Sequence, residues 1–165
     1  MSIDSLKDLY THELQDLYSA NRQMIKVVRQ MSEKAESDRL REMLDKSVRK
    51  IEEHNKLVAE LVRDCGEDPS DEHCKGMEGL VKEARKHALE ESYGDRALRD
   101  SAIIAQMQRM THYGICGYGT AQALADALGK QDHVDKLETD LDEVYEADKY
   151  LSYIAEAAVN PQAAA

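Results

Sequence analysis

The sequence predicts an all-α protein, a four-helix bundle with one long crossover, and three observations support this fold class. Strong helix formers dominate the 165 residues, Pro occurs only twice, and Phe and Trp are absent. Apolar residues recur at three- and four-residue intervals in four long segments, which is the spacing of one helix face. The connections between these segments are short, long and short in turn, and this order selects a single bundle topology.

The first two segments predict a pair of antiparallel helices. Helix A covers about 3–35 and helix B about 38–65, with Ser37 or Asp38 as the N-cap of helix B. The break between them is so short that the chain must reverse direction. The inward stripe of helix A is Tyr10, Leu14, Leu17, Asn21, Met24, Val28, Met31 and Ala35, and that of helix B is Leu40, Leu44, Ser47, Ile51, His54, Val58 and Leu61.

The last two segments predict a second antiparallel pair. Helix C covers about 96–128, begins at an Asp95 cap and ends before Gly129, and helix D covers about 131–158. Their predicted stripes are Ile104, Met107, Thr111, Gly114, Tyr118, Ala121, Ala125 and Leu128 on helix C, and Val134, Leu137, Leu141, Val144, Asp148, Leu151 and Ala155 on helix D.

The long connection between helices B and C fixes how the two pairs are joined. It spans about 30 residues, begins with the Gly- and Pro-containing segment GEDPSDEHCKG and contains a short helix at about 77–91. Such a connection returns the chain along the bundle and makes helices B and C parallel, as in ferritin-like folds. We therefore predict one ferritin-like domain over residues 1–160, with 161–165 as a frayed tail.

Charge and cysteine content limit the partners and the compartment. With 33 acidic and 22 basic residues the net charge is -11, which disfavours nucleic acid and anionic membrane surfaces. The sequence has no run of 18 apolar residues and no signal-like N-terminus. Cys65, Cys74 and Cys116 are odd in number and fit no CxxC pattern, so we expect free thiols and a cytoplasmic protein.

Three polar residues interrupt the apolar stripes at similar depth: Asn21, His54 and Asp148. Ferritin-like bundles use this layer for two metal ions held by several carboxylates. One Asp, one neutral His and one Asn bring too little negative charge for two divalent ions. We predict a buried polar cluster instead, with His54 hydrogen-bonded between Asp148 and Asn21. The alternative is a residual one-metal site of His54 and Asp148, joined by Glu143 if helix D is slightly rotated.

Several longer segments resemble the YciE/YciF family of bacterial ferritin-like proteins over nearly the whole chain. These segments are LYSANRQ, CKGMEGLVKEA, THYGICGYGTAQALA and LDEVYEADKYLS. The resemblance implies a dimeric four-helix bundle, a link to bacterial stress responses, and a carboxylate site for iron or manganese.

This chain departs from the family pattern at the positions that the resemblance assigns to metal binding. His54, Asp148 and Glu143 remain, whereas five family carboxylates are replaced by Asn21, Lys50, Thr111, Gly114 and Val144. Because the replacements fall on all four long helices, the resemblance predicts a dinuclear site that is largely lost.

The sequence therefore favours a structural or protein-binding role in a stress setting, without a cofactor and without assigned catalytic residues. The competing hypothesis is a metal-dependent oxidoreductase that acts on peroxide or dioxygen through a remodelled iron or manganese site. We expect a homodimer by resemblance, and the sequence identifies no other protein partner.

Overall fold

The structure is a computed structural model that describes residues 3–70 and 72–165, and helices account for nearly all of them. The helices are α1 (Leu6–Lys34), α2 (Asp38–Asp64), α3 (Lys75–Ala84), α4 (Arg96–Ala127), α5 (Gln131–Ile154) and α6 (Asn160–Ala163). Short π-helical segments, Arg85–Glu90 and Ala155–Val159, continue α3 and α5. These elements confirm the predicted all-α class. None of the helices in the described ranges has the length and apolarity needed to cross a bilayer.

The ends of the long helices follow the capping signals in the sequence. The side chains of Ser5, Ser37 and Asp95 accept hydrogen bonds from backbone N–H groups in the first turns of α1, α2 and α4. Gly129 has a φ of 68° just after α4, the left-handed conformation that favours glycine at a helix end. Ser5 caps α1, so this helix begins later than predicted. The predicted frayed tail is instead mostly helical through Ala163, with Pro161 in the first turn of α6.

Two buried clusters show how the helices run. The Tyr10 core joins the beginning of α1 to the ends of α2 and α4 and the beginning of α5; its members include Tyr10, Leu14, Val58, Leu61, Tyr118, Ala125 and Leu137. The Met31 core joins the opposite ends of the same helices; its members include Val28, Met31, Leu40, Leu44, Ile103, Met107, Leu151 and Ile154. Helices α2 and α4 are therefore parallel, and each is antiparallel to its sequence partner, as the connection lengths predicted.

The crossover is fixed by contacts among three of the segments that resemble the family. The peptide N–H of Cys74 donates to Ser19 Oγ (2.9 Å), and Cys74 Sγ lies 3.0 Å from the hydroxyl of Tyr113, which donates to Asp16. A Cβ on Gly76 would approach the Tyr113 ring to 2.9 Å, so glycine lets α3 pack closely on α4. These motif residues position the crossover helix. The three cysteines are free thiols, as predicted.

The inward face of α5 differs from the prediction. Its buried residues are His133, Leu137, Asp140, Leu151 and Ile154, whereas Leu141, Val144 and Asp148 are only partly buried. Leu137 and Leu151 belong to both the predicted and the observed stripe, so the periodicity alone could not separate the two orientations. The observed face is rotated toward Asp140, and this rotation decides which carboxylates reach the centre of the bundle.

Candidate functional site

A layer of polar side chains lies between the Tyr10 core and the Met31 core. We call it the polar layer and define it by six residues, which come from all four long helices: Asn21, Lys50, His54, Tyr118, Asp140 and Glu143. Four of them are buried, while Lys50 and Glu143 reach the surface.

His54 contacts two carboxylates of α5. Its Nε2 lies 2.8 Å from Glu143 Oε2 and 3.6 Å from Asp140 Oδ1. Its ring also meets the Tyr118 ring edge-on, with centroids 5.9 Å apart. The imidazole is thus held by a hydrogen bond on one side and an aromatic ring on the other.

Lys50 supplies a positive charge to the same network. Its Nζ lies 3.2 Å from Glu143 Oε1 and 3.0 Å from Glu53 Oε2. The hydrogen bond from His54 and then the contact with Lys50 lower the pKa of Glu143, while the contacts with Glu53 and Glu143 raise the pKa of Lys50. Both oxygens of the Glu143 carboxylate are therefore engaged by side chains of α2.

Asn21 is hydrogen-bonded across the bundle. Its Nδ2 donates to the hydroxyl of Tyr118 over 2.9 Å, and both residues are buried. Burial raises the pKa of Tyr118, so its hydroxyl stays protonated. The Asn21 amide in the middle of the α1 stripe thus provides a hydrogen-bond partner for the buried Tyr118 hydroxyl.

Asp140 is the least satisfied member of the polar layer. Its side chain is buried, and within the described ranges its Oδ2 has no hydrogen-bond partner. Burial raises its pKa to about 6, although the neighbouring His54 acts in the opposite direction.

The predicted link between His54 and Asp148 is wrong. Asp148 lies in the seam between α4 and α5, where its carboxylate accepts from Gln108 Nε2 (3.0 Å) and contacts His112 Nε2 (3.1 Å). The rotation of α5 turns Asp148 toward α4 and brings Glu143 to His54 in its place. The predicted cluster is corrected accordingly, because neither Asn21 nor Asp148 is the hydrogen-bond partner of His54.

Sequence reasoning missed Asp140 as a member of this layer. A signal was present, because Asp140 and Glu143 follow the buried Leu137 at successive three-residue intervals and so share its face. The same reasoning could have paired Lys50 with Glu143, since Lys50 precedes His54 by one helical turn.

A pair of divalent ions needs several carboxylates around it, and the polar layer has few. It contains two carboxylates and one imidazole, and the ammonium group of Lys50 lies against one of those carboxylates. At the other replaced positions, the hydroxyl of Thr111 donates to its own helix backbone, and Gly114 has no side chain to offer. No group of three or more His, Cys, Asp and Glu side chains with metal-site spacing occurs in residues 3–70 and 72–165. These residues do not fit a dinuclear centre.

A cavity of about 350 Å³ adjoins the polar layer. Its inner wall comes from buried residues of α1 and α4, including Met24 and Met107, whereas its exposed rim, including Lys46 and Glu146, comes from α2 and α5. The mouth of the cavity therefore lies between α2 and α5, the neighbouring long helices with the sparsest packing.

The fold and the polar layer define the class of protein, a ferritin-like four-helix bundle with one long crossover. Residues 5–164 match the family described as a domain of unknown function, DUF892. The chain belongs to this family.

Similar proteins include relatives of known structure. The chain is 29% identical to Protein YciF of Escherichia coli (strain K12) over 99% of this chain and 98% of that protein. The crystal structure of the E. coli stress protein YciF superposes with a TM-score of 0.88 at 27% identity, covering 96% of this chain and 99% of the other. YcfI from Rhodopseudomonas palustris, for which a structural role has been suggested, gives a TM-score of 0.85 at 33% identity over 92% and 95% of the two chains.

Proposed function

We propose that this chain is a ferritin-like protein in which an internal ion pair replaces the metal ions, and that it serves as a structural or protein-binding module in a bacterial stress response. The stress setting is supported by the similarity to the E. coli stress protein YciF. The structural role is consistent with the suggestion made for YcfI.

One observation carries the proposal: both oxygens of the Glu143 carboxylate are engaged by α2. Lys50 Nζ lies 3.2 Å from Oε1, and His54 Nε2 lies 2.8 Å from Oε2. A divalent ion bound to Glu143 would stand beside the ammonium group of Lys50, and the repulsion between the two cations opposes binding. The lysine gives the carboxylate the counter-charge that a metal ion would otherwise provide.

Elemental analysis of the purified protein tests this proposal. Cells producing the protein are grown with added iron and manganese, and the metal content per chain is measured after gel filtration. We expect substoichiometric metal that does not change in a His54→Ala variant. Near-stoichiometric iron or manganese that is lost in His54→Ala, but kept in the exposed control His73→Ala, would overturn the proposal.

The second candidate function is a metal-dependent oxidoreductase acting on peroxide or dioxygen. It is favoured by one observation, the buried and unpartnered Oδ2 of Asp140 beside His54 and Glu143. These three side chains lack metal-site spacing as they stand, so they would have to move closer together to hold a single iron or manganese ion, which would supply the redox chemistry. This candidate function is tested by measuring peroxide consumption by protein that has been incubated with iron. The rate must increase in proportion to the bound iron and must be lost in Asp140→Asn.

We also propose that the protein is a homodimer, as the family resemblance implies. Light scattering coupled to gel filtration should give twice the chain mass of 18.6 kDa. A mass equal to one chain at micromolar concentration contradicts this part of the proposal.

A further inference from the structure

We propose that the cavity between α2 and α5 is a binding site for a small, uncharged and mostly apolar molecule that carries one hydrogen-bonding group. This inference goes beyond the proposed function, because a structural module does not need a small-molecule site. It uses the same bundle centre but depends on the shape and chemistry of the cavity and not on the metal content.

The walls of the cavity determine the apolar character of the ligand. Three methionines, Met24, Met43 and Met107, line it together with Ile51, Val144 and Ala147. Methionine side chains are flexible and polarisable, so they adapt to irregular apolar shapes and contact aromatic rings favourably. A volume of about 350 Å³ lies in the range of small-molecule pockets.

Ser47 points to a hydrogen-bonding group on the ligand. It lines the cavity and is only 6% exposed, yet its Oγ has no partner among the described residues. A buried hydroxyl without a partner is costly, and a ligand group that donates to it or accepts from it removes that cost. Serine is therefore the residue that would orient the ligand.

The charges at the rim favour a neutral ligand. Lys46 and Lys50 on α2 face the opening, and so do Glu143 and Glu146 on α5. Two positive and two negative side chains leave no net charge at the mouth, and the whole chain carries a net charge of -11. A carboxylate or sulfonate would gain nothing from the rim and would be repelled by the rest of the surface.

A pair of fluorescent probes tests this inference. N-phenyl-1-naphthylamine is neutral, apolar and has one N–H group, and 1-anilinonaphthalene-8-sulfonate is its sulfonated counterpart. We expect the neutral probe to bind one per chain with increased fluorescence, and the sulfonate to bind about tenfold more weakly or not at all. Equal binding of both probes, or no binding of the neutral one, overturns the inference.

Three variants locate the probe. Ala147→Phe fills the cavity and should abolish binding, whereas Ala123→Phe, on the exposed face of α4, should leave it unchanged. Ser47→Ala should weaken binding roughly three- to tenfold without lowering the thermal midpoint, since it deletes an unsatisfied hydroxyl. Circular dichroism confirms that each variant is folded. Undiminished binding by Ala147→Phe, or by Ser47→Ala, refutes the site.

The titration is repeated with chelator-treated protein and with added manganese. Binding that is the same in both conditions supports the cavity site whether or not the metal-free proposal holds. Probe binding that requires manganese overturns both this inference and the proposed function. Absence of probe binding in both conditions overturns this inference alone.

Discussion

Single residues in the polar layer perform two different tasks. Asn21 and Tyr118 satisfy each other's polar groups across the bundle, which makes a buried amide compatible with an otherwise apolar stripe. His54, Glu143 and Lys50 form a hydrogen-bonded chain that reaches the surface between α2 and α5. Asp140 Oδ2 is buried without a hydrogen-bond partner among the described residues, and substitution of Asp140 is the sharpest test at this scale.

We expect Asp140→Asn to stabilise the protein at pH 7.5 by up to about 3 kcal/mol, because it removes a buried charge whose pKa is raised to about 6. A raised carboxyl pKa gives a contribution to stability that is present below the unfolded pKa of about 3.8 and is lost as the pH rises through 6. The gain should therefore disappear near pH 4.

Chemical denaturation at the two pH values measures this effect. Asp142→Asn is the matched control, because Asp142 is exposed on the same helix. A loss of stability in Asp140→Asn at pH 7.5 would show that the carboxylate is required in its charged form.

His133 gives the Tyr10 core a dependence on pH. Its Nδ1 lies within hydrogen-bond distance of the Tyr10 hydroxyl (2.9 Å), and the imidazole is buried. Burial, then the charge of Lys130, lowers its pKa from 6.5, although Asp64 and Asp132 oppose the shift. A depressed pKa gives stability that is present above about 6.5 and is lost as the pH falls below it.

The contribution of His133 to the free energy of unfolding should thus decline as the pH falls below about 6.5, and His133→Gln should remove this contribution. His73→Gln provides the control, since His73 is largely exposed beside Glu78. Denaturation curves at several pH values measure the free energy of unfolding of each protein. The same dependence on pH for wild type and His133→Gln would contradict a role for His133.

At the scale of the helices, packing depends on glycine at close contacts. It also depends on side chains that hydrogen-bond to the backbone of a turn between other helices. Gly117 on α4 lies against Leu17 of α1, where an added Cβ would come within 2.5 Å of Cδ2 and 3.0 Å of Cγ. Gly119, two residues further along α4, is the second glycine within this part of the helix. The structure places the tight contact at Gly117, whereas a Cβ on Gly119 would meet Leu141 at an ordinary 3.9 Å.

Gly117→Ala should therefore destabilise the fold by about 1–3 kcal/mol, because Leu17 is buried in the Tyr10 core and has little room to move. Gly119→Ala should be neutral or slightly stabilising, since alanine is the better helix former. Thermal and denaturant unfolding compare the pair, and equal effects of the two substitutions would argue against close packing at position 117.

Asp100 on α4 fixes the turn between α1 and α2. Its carboxylate oxygens accept from the backbone N–H groups of Glu36 (2.9 Å) and Ser37 (2.7 Å), and the residue is 2% exposed. Asp100→Ala should lower the free energy of unfolding by about 2–4 kcal/mol through the loss of two charge-assisted hydrogen bonds.

Asp95→Ala is the comparison for Asp100→Ala, because Asp95 caps α4 at an exposed position and its loss should cost only about 1 kcal/mol. If denaturant titration gave the two variants the same stability, Asp100 would be acting as an ordinary local cap.

At the scale of the whole molecule, the sequence predicted what local rules determine. Caps such as Ser37 and Asp95, the left-handed Gly129 and the connection lengths follow from chain stereochemistry, so the helices and their directions were predictable. The rotation of α5 was not, because Leu137 and Leu151 fit two neighbouring faces. Packing against α2 and α4 chooses between them, and that choice replaced Asp148 by Glu143 at the side of His54.

The proposed function depends on the charge at the centre of the bundle. The family resemblance implies that carboxylates have been replaced on all four long helices, and Lys50 places a positive charge beside Glu143. The proposed function implies that a bundle with this interior keeps its fold through packing and ion pairs, without a metal ion. Restoring the carboxylates should therefore allow the bundle to bind metal ions.

The most direct measurement is the manganese content of two proteins after equilibration with manganese and removal of free metal. One is the wild type, and the other carries Asn21→Glu, Lys50→Glu, Thr111→Glu and Gly114→Glu; a Cβ at Gly114 meets no atom closer than 4.0 Å. We predict that the wild type retains no stoichiometric metal and that the variant retains about two ions per chain. Two tightly held ions in the wild type would contradict the account.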